Sequence, residues 1–225
     1  MPAGRKGGSP RPLKNLTRLP NLCVICDAEV CARAGWSVPD YAAACLDAGA
    51  RFLQIRAKNF SSGALLECSE AVVRHAEGSG ALIIVNDRAD VARLSGAGGV
   101  HAGQDDLSPA AMRRVAGEDA CVGLSTHTLV QVRGALAAPI DYVAIGPVFD
   151  TSSKKTGYDA VGTKRVFETA MLAEPSGLPV VAIGGITLER AADVLAAGAW
   201  SVAVIADLLS TGNPGARVRE YLDRL

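Results

Sequence analysis

The sequence is poor in aromatics: Phe, Trp and Tyr make up 4% of its 225 residues, although 49% of the chain is hydrophobic. Its apolar material is therefore mostly small and aliphatic. That suits helices packed closely on a parallel sheet and disfavours an aromatic-rich antiparallel sandwich. Net charge is missing too. Lys and Arg number 23, as do Asp and Glu, which argues against a nucleic-acid binder held by phosphate neutralisation. The start of the chain is basic and contains Gly and Pro, with no apolar core, so it reads neither as a secretory signal nor as a membrane span. Arg5, Lys6, Arg11, Lys14 and Arg18 precede the first acid, Asp27. Residues 1–18 are accordingly expected to form a disordered basic tail, and 19–225 a single domain.

A second cysteine pair is also lacking. Cys23 and Cys26 form a CxxC, but they sit inside the apolar run Leu22-Cys23-Val24-Ile25-Cys26, which reads as a strand. Zinc and redox pairs occupy turns or helix N-termini and bring further ligands. The six cysteines are therefore expected to be buried, reduced thiols in a reducing compartment, the cytoplasm.

What the chain does have is alternation. Short apolar runs at 22–26, 52–55, 81–85, 99–101, 121–124, 142–145, 180–183 and 201–204 read as strands. Between them, 39–48, 61–76, 108–116, 129–138, 162–173 and 188–197 have helical period. The strands are continuous hydrophobic runs, as expected when both faces of a parallel sheet are covered. Eight βα units in this length close naturally as a (β/α)8 TIM barrel. An open doubly wound sheet is the alternative, but it wants a G-x-G-x-x-G after the first strand, where Asp27-Ala28-Glu29-Val30 stands.

In such a barrel the chemistry lies at the C-terminal strand ends, and there the polar residues gather. Gln54, Arg56 and Lys58 alternate, so in extended backbone they share a side, and two cations beside an amide suit a phosphorylated ligand. Asn86-Asp87 and Asp105-Asp106 bring acids from neighbouring strand ends. Asp87 and Asp106 are hard oxygen donors suited to Mg²⁺, with Asp105 expected to point away. The competing reading of Asp87 is an N-cap for a helix starting near Ala89. The loop Thr151-Ser152-Ser153-Lys154-Lys155-Thr156-Gly157 offers hydroxyls and ammonium groups to a pyrophosphate. Gly184-Gly185 and the turn Ile205-Ala206 resemble the phosphate cradle of many barrels. His101 and His127 lie at strand ends and His75 on a helix, yet no nucleophile elbow surrounds Ser125. Trp36 and Trp200 read as packing residues.

Six motifs in order carry a resemblance over residues 22–209: Gln54-Ile55-Arg56-Ala57-Lys58, Val85-Asn86-Asp87-Arg88, the run from Gly99 to Asp106, Gly123-Leu124-Ser125-Thr126-His127, the run from Asp141 to Phe149 with Thr151 and Ser153-Lys154 after it, and Val181-Ala182-Ile183-Gly184-Gly185-Ile186. Together they resemble the thiamine phosphate synthase family. The resemblance implies a transferase that joins a pyrimidine diphosphate to a thiazole phosphate, with or without a carboxylate, and releases pyrophosphate. It implies that Gln54, Arg56, Lys58, Asn86, Ser125 and Lys154 hold the pyrimidine diphosphate, with Lys58, Ser125 and Lys154 acting in catalysis. Asp87 and Asp106 would bind Mg²⁺. Thr151, Ser153, Gly185, Ile205 and Ala206 would meet the thiazole substrate. Departures are Ala206, where a small hydroxyl is usual, Trp200 in place of a small acid, and Cys26 in place of threonine. A related thiazole phosphate isomerase using His127, and a non-catalytic phosphometabolite binder, are the alternatives. Monomer and homo-oligomer both remain open.

Overall fold

Each of the eight apolar runs forms a parallel strand: β1 (Leu22–Asp27), β2 (Phe52–Arg56), β3 (Leu82–Asn86), β4 (Gly99–Ala102), β5 (Cys121–Thr126), β6 (Tyr142–Ile145), β7 (Val180–Ile183) and β8 (Ser201–Val204). In the computed structural model, which describes residues 19–151 and 157–225, they pair in chain order and β8 pairs back onto β1, so the sheet is a closed barrel. The open-sheet alternative is thereby excluded. The basic tail expected at 1–18 lies outside the described residues.

Side chains alternate across this sheet. Cys23, Ile25, Phe52, Leu82, Ile84, Cys121, Tyr142, Ala144, Val181 and Ala203 fill the barrel, whereas Val24, Cys26, Leu53, Ile55 and Val85 face the surrounding helices. The CxxC cysteines therefore point to opposite faces of one strand and cannot share a ligand. All six cysteines are free and buried, and burial alone pushes the Cys68 thiol up to about 11.

The helices are α1 (Ala28–Arg33), α2 (Val38–Asp47), α3 (Ser62–Ala76), α4 (Ala89–Ser95), α5 (Pro109–Ala116), α6 (Leu129–Leu136), α7 (Gly162–Ala173), α8 (Leu188–Ala196) and α9 (Pro214–Arg224). Several start where a hydroxyl can accept a first-turn N–H. Ser37, Ser61 and Ser108 cap α2, α3 and α5, and Thr128 with Gln131 forms a capping box on α6. The two tryptophans are packing residues, as expected. Trp36 lies against the outer core, and Trp200 donates its indole N–H to the Leu19 carbonyl at 2.6 Å, beside the inner core. Among the described residues, no helix is long and apolar enough to cross a membrane.

Candidate active site

At the C-terminal strand ends the inward positions turn polar. Asp27, Gln54, Arg56, Asn86, His101 and Ser125 continue the alternation of the apolar residues below them. The strands run on into these residues because ladder hydrogen bonding does not depend on hydrophobicity. Gln54 is buried and donates its amide to Asn86 Oδ1 at 2.8 Å, so each amide spends one polar end on fixing the other. The Arg56 guanidinium is ion-paired with the Asp27 carboxylate, which is itself 2% exposed. That pairing leaves further N–H donors on Arg56 for an anion. Lys58 differs from the expectation of a shared strand face. β2 ends at Arg56, and Lys58 stands in the following turn, from which its ammonium reaches Asp87 Oδ2 at 3.6 Å.

Asp87 is the one non-glycine residue with positive φ among the described residues, at 64°. Asp tolerates this left-handed region better than most residues, at a cost of roughly 1–3 kcal/mol. Its N–H is tied to the His101 carbonyl at 2.8 Å. The capping alternative fails, because the N-cap of α4 is Arg88 and no side chain caps it. Instead the Asp87 carboxyl lies in hydrogen-bond contact with Asp106, whose Oδ2 also accepts the Gly103 N–H at 2.7 Å. Burial, then the neighbouring Asp106, raises Asp87 above the usual carboxylate range, and Lys58 opposes them. Two carboxyl groups in contact on adjacent strand ends, with no sulfur or imidazole donor between them among the described residues, could hold Mg²⁺ with phosphate oxygens as its other ligands.

Ser125, at the end of β5, is held from two directions. Its Oγ lies 2.8 Å from His101 Nε2, and its carbonyl accepts from Gln104 Nε2 at 2.6 Å. His101 Nδ1 in turn lies 2.9 Å from the Tyr142 hydroxyl inside the barrel. From Ser125 the rim opens into a cavity of about 390 Å³, lined by His127, Gly146, Thr151, Gly184, Gly185, Ile205 and Ala206 among others. Glycine is required in this wall. A Cβ on Gly185, whose φ is 62°, would sit 2.5 Å from the Asp150 carbonyl oxygen, and one on Gly184 would sit 2.6 Å from Pro147. The backbone there can meet a ligand without intervening side chains.

His127 lines the same cavity, with Nδ1 2.6 Å from the Gly146 carbonyl and its ring stacked on Tyr158. His75 is instead an exposed surface partner of Asp47. The sequence reading missed Arg190, which donates to the Gly185 carbonyl and covers the Phe149 ring. Asp207, which follows the Ile205-Ala206 turn, accepts from the Leu188 N–H at the start of α8 and from Arg217 and Tyr221. Arg190 reaches back five residues to Gly185 and across to Phe149, and Asp207 gathers its partners from α8 and α9, so no single local motif marks either. Ser153 and Lys154 lie outside the described residues.

The rim thus has two arcs: acids, amides and cations from β1 to β4, and a glycine-walled cavity from β5 to β8. A family profile described as thiamine monophosphate synthase matches residues 22–208. The chain belongs to that family. Among its relatives in the thiamine phosphate synthase family, the thiamine-phosphate synthase of Anaeromyxobacter dehalogenans is 45% identical over 175 residues, 78% of this chain and 77% of that protein. The thiamine biosynthesis bifunctional protein ThiM/ThiE of Symbiobacterium thermophilum is 43% identical over 192 residues, which cover 85% of this chain but only 39% of that longer protein. Among solved structures, a thiamine phosphate pyrophosphorylase from Pyrococcus furiosus superposes with a TM-score of 0.79 at 26% identity, covering 91% of this chain and 94% of the other.

Proposed function

We propose that the chain condenses 4-amino-2-methyl-5-hydroxymethylpyrimidine diphosphate with a thiazole phosphate, giving thiamine phosphate and pyrophosphate, with Mg²⁺ as cofactor. The observation that carries the reading is the meeting of Lys58, Asp87 and Asp106 on one arc of the rim, with the Lys58 ammonium 3.6 Å from Asp87. Held by Asp87 and Asp106, Mg²⁺ would supply positive charge to the departing diphosphate.

The remaining work falls to the chain itself. Gln54 and Asn86, locked to one another, orient the pyrimidine diphosphate, while Arg56 and Lys58 donate to its phosphate oxygens. Lys154, which follows β6 in the sequence, is the further cation that the family resemblance assigns to the same diphosphate. The bond between the pyrimidine methylene carbon and the diphosphate oxygen breaks as these donors take up the growing charge. The electron-rich aminopyrimidine carries the resulting cation, so no enzyme nucleophile is needed. The Gly184–Gly185 backbone, with Ile205 and Ala206, seats the thiazole phosphate, and Thr151 and Ser153 contact the same substrate. The thiazole nitrogen then forms the new bond to the methylene carbon. Positioning supplies most of the acceleration. Small phosphorylated molecules are thus the partners, and six buried thiols suit a reducing cytoplasm.

His127 on the cavity wall favours a second reading, isomerisation of the thiazole phosphate alone. Incubation with each substrate separately and then with both, with and without Mg²⁺, separates the two. Pyrophosphate release only with both substrates and metal is expected. Release that ignores the thiazole phosphate, or none under any condition, would overturn the proposal.

A further inference from the structure

Beneath the substrate-facing Ser125 lies a chain of three side chains from three strands. Tyr142 on β6 is 2% exposed, and its ring is fixed by an edge contact to Phe52 and by a stacked contact to His101. The room it occupies exists because residue 123 has no side chain: a Cβ on Gly123 would stand 2.1 Å from the tyrosine ring. Its hydroxyl lies 2.9 Å from His101 Nδ1, and His101 Nε2 lies 2.8 Å from Ser125 Oγ. Ser125 lines the cavity.

Proton bookkeeping gives this chain one direction. Among the described residues, His101 Nδ1 is the acceptor within hydrogen-bond reach of the Tyr142 hydroxyl. Burial pushes that hydroxyl well above its ordinary pKa, so it keeps its proton. A buried O–H left without an acceptor is costly, so Tyr142 donates to Nδ1. The imidazole then carries its single hydrogen on Nε2 and donates it to Ser125 Oγ. A doubly protonated ring would leave the tyrosine proton stranded.

We infer that Tyr142 and His101 are positioning residues that turn the Ser125 hydroxyl into an obligate donor toward the substrate, which must meet it with an acceptor, a ring nitrogen or a phosphate oxygen rather than an amino group. The inference rests on the synthase reading only for what Ser125 touches; the tautomer follows from the fold alone.

The test has two arms. The protein has three histidines, so ¹⁵N-histidine labelling with His75→Asn and His127→Asn assigns the His101 signals. The expected state at neutral pH is the neutral ring protonated at Nε2, with the Nδ1 signal shifting in Tyr142→Phe. A ring protonated at Nδ1, or at both nitrogens, overturns the inference. In the second arm, pyrophosphate release at saturating substrate is expected to fall about tenfold in Tyr142→Phe, the worth of one hydrogen bond. The Ser125→Ala, Tyr142→Phe double variant should then be no slower than Ser125→Ala alone. A tyrosine effect that persists in full without the serine means a structural role and overturns the inference as well. If the wild-type protein releases no pyrophosphate, the synthase reading fails while the labelling arm still decides the tautomer.

Discussion

Replacing Asp27 with Asn probes the joint between the first two strands and the polar arc of the rim. Asp27 Oδ1 accepts the Glu29 and Val30 N–H groups, both at 3.1 Å, which caps α1. Its Oδ2 pairs with Arg56. Asn retains an acceptor for the cap but removes the charge. Breaking a buried pair by removing one partner costs ~3–5 kcal/mol. The Arg56 side chain is 16% exposed, so water relieves part of the stranded charge and the low end, about 3 kcal/mol, applies. For a domain of this size that corresponds to a fall in Tm of roughly 6–12 °C. Asp27→Ala loses the cap as well, about 1 kcal/mol more and roughly 2–4 °C further. Differential scanning calorimetry of the ligand-free protein measures both. The reasoning is refuted if Asp27→Asn melts with the wild type, or if the Asn and Ala variants melt together.

Four further outcomes are expected. Asp87 has its carboxyl raised in the folded chain, so the stability it contributes is present at acid pH and is lost as pH rises through the folded value; Asp87→Asn, which keeps a residue tolerant of φ 64°, should therefore raise Tm at neutral pH in the metal-free protein, with the difference vanishing in acid. Added Mg²⁺ should raise Tm in the wild type and not in that variant. Gly185→Ala forces a Cβ to 2.5 Å from a backbone oxygen at φ 62°; a cost of about 2 kcal/mol or more should appear in calorimetry, together with a raised KM for the thiazole phosphate and not for the pyrimidine diphosphate. Finally, all six cysteines are buried, so a thiol reagent should label the native protein at none of them over minutes and the unfolded protein at all six.

Much of the barrel was legible because strands covered on both faces leave continuous apolar runs. The expected strands at 142–145, 180–183 and 201–204 match β6 to β8, and helix 162–173 matches α7. Five strands were read one or two residues short, at Asp27, Arg56, Asn86, Ala102 and Ser125–Thr126. Hydrophobicity stops where the strand meets the site, and the ladder does not. α9 was missed because five of its eleven residues are charged and only Pro214, Gly215, Val218 and Tyr221 are buried. The acids and cations of the rim were visible as strand-end residues. Their pairings were not, since Asp27 meets Arg56 through the β1–β2 register, and Tyr142 meets His101 across the barrel interior, between residues far apart in the chain. The left-handed turn at Asp87 was likewise hidden, because its sequence serves a helix cap equally well.

The proposed division of the rim into a metal–diphosphate arc and a glycine-walled cavity is tested most directly by calorimetric titration with inorganic pyrophosphate. Wild-type protein should bind it only with Mg²⁺ present. Asp87→Asn should lose about tenfold or more in affinity, while Gly185→Ala binds as the wild type does. Undiminished binding by Asp87→Asn, or an equal loss in Gly185→Ala, would contradict the division.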